Sequence, residues 1–110
     1  MPKMLPIACC VPITKPKLRT SQAESAAQVF RALADPHRVK IMNLLLNAPE
    51  DVCVCDITEV TGLSQPTTSF HLKKLMQAGL ITRAERGTWA YYSIVPGALD
   101  SLSTLFEEAR

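Results

Sequence analysis

The sequence predicts a mainly α-helical domain with one small β-hairpin. Three observations point there. Apolar residues recur at helical spacing in several stretches, most of them opened by a capping residue. Gly62 interrupts two such stretches after a short run, as a tight turn between helices would. Farther on, two alternating segments flank Arg86-Gly87-Thr88, the pattern of a hairpin.

Taken in order, residues 1–20 hold four prolines and show no periodicity, so they are expected to form a flexible arm before a domain at 21–110. Ser21 with Glu24 reads as a capping box. The first helix should run from there to about Ala34, with Ala23, Ala26, Ala27, Phe30 and Leu33 on one face. Asp35 is an N-cap and Pro36 suits the first helical position. The second helix should run from Pro36 to about Asn47, burying most of Val39, Ile41, Met42, Leu45 and Leu46. Val52-Cys53-Val54-Cys55 alternates like a short strand. Asp56 with Glu59 then opens a short helix that ends at Gly62. Ser64 caps the next helix, which continues through Phe70, Leu72, Leu75 and Met76 to Ala78 and stops at Gly79. Leu80–Glu85 and Trp89–Val95 are the hairpin strands, packed by Trp89, Tyr91 and Tyr92. Pro96 starts a last helix with Leu99, Leu102, Leu105 and Phe106 on one stripe.

The chain has 110 residues, enough for one domain with a modest core. Hydrophobic residues make up 47% and charged residues 20%, which excludes a wholly disordered chain. No run is long and apolar enough for a membrane span. Pro6-Ile7-Ala8-Cys9 imitates a lipoprotein cleavage site only faintly, and the stretch before it is short and broken by proline. A cytosolic protein is therefore expected, with Cys9, Cys10, Cys53 and Cys55 as reduced thiols. The net charge of +2 is unevenly spread. Residues 1–20 carry +4, 21–61 carry −3, 62–91 carry +3 and 92–110 carry −2. Basic segments separated by acidic ones suit an anionic partner met by particular surfaces.

A short helix, a glycine turn and a second helix form a helix-turn-helix, whose second helix enters the DNA major groove. The hairpin that follows is a wing. Gln65, Thr67, Thr68, Ser69, His71 and Lys73 are the polar positions of the recognition helix. Gln can pair with adenine, and Ser and Thr can reach bases or phosphates. On an isolated helix the same residues would only decorate a solvated face; their place after a capped helix and a turn favours DNA. Arg83, Arg86 and Thr88 of the wing suit phosphates or a narrow minor groove. Edge-strand charge that discourages aggregation would account for the arginines equally well. No C-x-x-C at a helix start and no phosphate loop is present, so an enzyme is not expected.

These motifs together resemble the ArsR/SmtB family of metal-sensing winged-helix repressors. The likeness lies in Asp35-Pro36-His37-Arg38, in Cys53-Val54-Cys55-Asp56, in Leu63-Ser64-Gln65-Pro66-Thr67-Thr68-Ser69-Phe70-His71-Leu72, and in Arg86-Gly87 through Tyr91-Tyr92. It covers about residues 24–106. The resemblance implies a homodimer formed by the first and last helices, bound to a palindromic double-stranded operator. It also implies repression relieved by a metal or metalloid.

Cys53 and Cys55 would point to one side of an extended segment. Cys9 and Cys10 are adjacent on the arm. Thiolate-only ligation selects soft ions: As(III), Sb(III), Bi(III), Cd(II), Pb(II) or Zn(II). The spacings C-C and C-x-C, without a nearby His, are not those of a zinc knuckle. As(III) takes three thiolates in a pyramid. The expected site is Cys9 and Cys10 with Cys53 or Cys55, the arm supplied by either subunit. Similar repressors with an N-terminal cysteine pair support As(III) or Sb(III), and others with four thiolates support Cd(II) or Pb(II). The family's second metal site, on the last helix, would need a His beside Asp100, Glu107 and Glu108, and none is there. A repressor of the same fold that senses oxidation, by pairing Cys9 or Cys10 with Cys53 or Cys55, is the alternative.

Overall fold

The computed structural model describes residues 18–106. Cys9, Cys10, Glu107 and Glu108, and with them most of the expected arm, lie outside the described residues. Helix α1 spans Thr20–Leu33, one residue into that arm. Its N-cap is Arg19, whose N–H donates to Gln22 Oε1 at 2.8 Å. Gln22 thus takes the reciprocal half of the capping box expected of Ser21 and Glu24. The core-facing side of α1 is Val29, Ala32 and Leu33, and Phe30 is turned outward.

Helix α2 spans Pro36–Asn47 as expected. Asp35 Oδ1 accepts from the N–H groups of His37 at 2.8 Å and Arg38 at 3.3 Å. Ile41, Met42 and Leu45 are buried, but Val39 and Leu46 are half exposed. Those two lie seven residues apart on a flank of the helix, beyond the arc that the core covers.

Strand β1 is only Val52–Cys53, and helix α3, Val54–Thr61, begins at once. The expected strand is therefore two residues shorter and the helix starts earlier. Cys53, not Asp56, is the N-cap, and its Sγ accepts from the Cys55 N–H at 3.3 Å. Asp56 instead sits in the first turn, where a carboxylate complements the positive helix end. Gly62 ends α3 in the left-handed region, at φ 72°. Helix α4, Gln65–Gln77, follows, with Ser64 Oγ accepting from the Thr67 N–H at 3.3 Å.

Strands β2, Ile81–Arg86, and β3, Trp89–Ile94, form the hairpin. Arg86 pairs with Trp89, so Arg86 ends β2 and the turn is Gly87-Thr88. Val52 and Cys53 pair with Tyr92 and Tyr91, giving an antiparallel sheet in the order β1-β3-β2. Tyr92 is buried, but Trp89 is half exposed and packs less than expected. The last helix does not start at Pro96. Gly97, at φ 77°, holds a turn, and α5 spans only Asp100–Ser103 before a 3₁₀ turn at Thr104–Phe106. Among the described residues no helix is long and apolar enough to cross a membrane.

The core joins Ile41, Met42 and Leu45 of α2, Val54 and Ile57 of α3, Leu72 and Leu75 of α4, and Leu80, Ile81 and Tyr92 around the sheet. Burying each such side chain is worth roughly 1.5–3 kcal/mol. That packing holds α3 against α4 and seats the hairpin beside them.

Candidate nucleic-acid interface and thiol pair

Helix α4 carries Lys73 and Lys74 and no carboxylate. Gln65, Thr67, Ser69 and Lys73 are exposed on it. Thr68 and His71 are not available to DNA: Thr68 is fully buried and His71 is 6% exposed. Both fall out of the expected contact set because they stand four residues before Leu72 and Leu75, on the core face of the helix. Counting back from those leucines would have found this in the sequence.

His71 has a structural task. Its Nδ1 accepts from Arg38 Nε at 3.1 Å, and Arg38 Nη1 donates to the Ala32 carbonyl at 3.1 Å. One guanidinium thus ties the end of α1 and the start of α2 to the recognition helix. Burial pushes the His71 imidazole below its ordinary pKa, Arg38 and His37 push the same way, and Asp35 opposes them. Partial desolvation acts to raise the Asp35 carboxyl. The His37 and Arg38 N–H groups and the positive charges of His71 and Arg38 outweigh it and hold Asp35 low.

The exposed face also shows Phe70, which the sequence analysis did not count among the DNA contacts. It is 51% exposed. Lys74 Nζ lies 5.4 Å and Arg38 Cζ 6.0 Å from its ring centroid. A phenyl ring on a recognition helix can touch a thymine methyl.

In the wing, Arg83 Nη2 donates to Glu85 at 2.9 Å and Arg86 Nη2 to Asp51 at 2.5 Å. The Arg86 guanidinium also stacks 4.7 Å over Tyr91. Exposed pairs of this kind hold about 0–1 kcal/mol, so phosphates can replace the carboxylates at little cost. Thr88 is exposed at the turn.

Cys53 and Cys55 are joined as a disulfide, where the sequence predicts free thiols. The same Cys53 Sγ accepts the Cys55 N–H in the first turn of α3. Cys53 is buried and Cys55 exposed. Among the described residues no three His, Cys, Asp or Glu side chains gather as a metal site. A ligand set built on this pair must draw on residues outside 18–106.

Residues 35–83 match the model of the bacterial regulatory protein, arsR family. The arsenical resistance operon repressor of Bacillus subtilis is 46% identical over 67 residues, 61% of this chain and 63% of that protein. The chain thus spans less than two thirds of that relative's length. The arsenical resistance operon repressor of Escherichia coli is 35% identical over 82 residues, 74% of this chain and 69% of that protein.

The chain belongs to the ArsR family.

A cadmium resistance transcriptional regulatory protein of Listeria innocua is 36% identical over 80 residues, 73% of this chain and 66% of that protein. In structure, a homodimeric winged helix-turn-helix DNA-binding domain from Mycobacterium bovis superposes with a TM-score of 0.69 at 28% identity, covering 84% of this chain and 83% of that one. The relatives and the fold are those of transcriptional regulators, a DNA-binding family that is not one of enzymes. The recognition helix of this ArsR-family chain is α4 and its wing is β2–β3.

Proposed function

We propose that the chain is a homodimeric repressor that leaves its operator when As(III) or Sb(III) binds cysteine thiolates, freeing resistance genes. The observation that carries this reading is the place of the thiol pair. Cys53 Sγ is the N-cap acceptor of α3, the helix that leads through Gly62 into α4. Drawing that sulfur onto an ion takes the acceptor from the Cys55 N–H and shifts the start of α3. The shift reaches α4 through the packed core. Cys9 and Cys10, from the segment before α1 of either subunit, supply the remaining thiolates. Gln65, Thr67, Ser69, Lys73 and Phe70 read the groove of a palindromic duplex, and Arg83, Arg86 and Thr88 hold its backbone. The arsenical resistance repressors among the relatives support the metalloid, and an ArsR regulator of this kind works in the cytoplasm.

The experiment uses reduced full-length protein and an operator selected from a random duplex library. Arsenite should weaken operator binding about 5–150-fold, the range of a coupling of 1–3 kcal/mol. Cys53→Ser and Cys9→Ser/Cys10→Ser should bind the operator normally and ignore arsenite. A thiol-free variant that releases DNA as readily as the wild type rules the reading out. Release by Cd(II) or Pb(II) and not by arsenite would make it a sensor of those ions, as the cadmium-resistance relative suggests.

The Cys53–Cys55 disulfide favours a second reading, a thiol redox sensor of the same fold. Release by an oxidant, with no response to arsenite under full reduction, would select it.

A further inference from the structure

The last turn of α1, the corner between α1 and α2, and the second half of α4 surround an open cavity of about 530 Å³. Its polar lining is Arg31, Arg38, Lys74, Gln28 and Gln77, with no carboxylate. The ion pairs among the described residues use Arg83 and Arg86, so none of these three cations is neutralised there. Asp35, which does not line the cavity, acts on Arg38 from the start of α2 and offsets part of its charge. Arg31 and Lys74 stand in the last turns of α1 and α4. The negative ends of two helices amount to roughly half a charge each. Together with Asp35 they offset about two of the three positive charges and leave the cavity net positive.

The donors are also prepared. Arg38 is pinned through Nε and Nη1, and its Nη2 has no acceptor among the described residues. Lys74 rests on the Phe70 ring. Guanidinium forks with ammonium and amide donors match a tetrahedral oxyanion. We propose that this cavity, which adjoins the groove-reading face of α4 at Phe70 and lies apart from the wing, is a binding site for a phosphate group. Two sources share that chemistry. One is a backbone phosphate of the operator, because the far end of a recognition helix flanks the DNA backbone in related helix-turn-helix geometries. The other is a free phosphate ester. The volume lies within the range of small-ligand pockets, about 300–1,000 Å³. Because Arg38 bonds His71, an anion there also restrains α4.

The test needs no DNA at first. Inorganic phosphate is titrated into full-length protein at constant ionic strength, with chloride as the balancing anion, and followed by NMR at the Gln28, Arg31 and Gln77 amides and the Arg38 Nε–H. Saturable shifts with a dissociation constant on the order of millimolar are expected. Arg31→Gln/Lys74→Gln should weaken them at least tenfold while circular dichroism stays unchanged; Arg31→Gln alone serves if the double variant misfolds. The slope of operator affinity against salt separates the sources. A slope reduced by about 1–2 in the variant, with phosphate competing against operator, assigns the site to the DNA backbone. An unchanged slope in a variant that has lost phosphate binding assigns the site to a free ester. Unsaturable shifts, or equal binding by the variant, overturn the proposal. Phosphate binding by a protein that selects no operator would instead count against the repressor reading and leave this site standing.

Discussion

At the scale of single residues, burial decides which polar groups of α4 are structural. Thr68 Oγ1 is buried without a hydrogen-bond partner among the described residues. An unsatisfied buried hydroxyl costs about 1–3 kcal/mol. Thr68→Val should therefore raise the urea unfolding free energy by about 1 kcal/mol and leave operator affinity unchanged; lost affinity would put Thr68 back among the DNA contacts. His71 makes a pH prediction. Its folded pKa lies below the ordinary value of about 6.5, because burial and Arg38 disfavour the imidazolium. The unfolded chain then takes up the proton first as pH falls, so the stabilisation is complete above about pH 6.5 and is lost below it. Asp35, also held low, loses its share only under about pH 4 and does not confuse that window. Unfolding free energies measured from pH 8 to 5 should decline in the wild type and decline less in His71→Gln.

Among elements, the turn between α3 and α4 is the most exacting. Gly62 sits at φ 72°, and a Cβ added there would meet nothing within 4 Å. Gly62→Ala thus tests backbone strain alone. It should cost about 1–2 kcal/mol, read by denaturant titration, and lower operator affinity if the angle between the helices shifts. This turn was legible in the sequence, as were the Asp35 and Ser64 caps, because glycine and cap signals act over a few residues. The start of α3 was not. Val-Cys-Val-Cys has the alternation of a strand, and cysteine is not a usual N-cap, so only the backbone shows Cys53 in that place. The shortness of α5 was hidden in the same way: Pro96 promises a helix start, yet Gly97 takes a left-handed turn first. For the candidate site, residue type predicted exposure for Gln65 and Lys73, which lie in solvent. It misled where the helix turns a polar group inward, as with Thr68 and His71.

For the whole molecule, the apolar surface left over after folding argues for a second copy. Phe30 of α1 is 42% exposed and Phe106 72%. Their ring centroids lie 6.1 Å apart, and Leu18, just before α1, is 39% exposed. Rings this exposed cost solubility unless something covers them. The cover proposed is the same face of a partner, as the homodimeric Mycobacterium bovis neighbour supports. Neither ring belongs to the buried core, so charging them should spare the fold. A buried Phe is worth roughly 1.5–3 kcal/mol, and a two-fold interface uses each residue twice. Phe30→Glu/Phe106→Glu should therefore raise the dimer dissociation constant on the order of a hundredfold or more, read by sedimentation equilibrium, with helicity by circular dichroism unchanged. Operator affinity should fall with it, because two recognition helices grip a palindrome only while the dimer fixes their separation. A variant that sediments as a dimer with an unaltered constant would place the interface elsewhere. The coupling from Cys53 to α4 would then have to act inside one protomer.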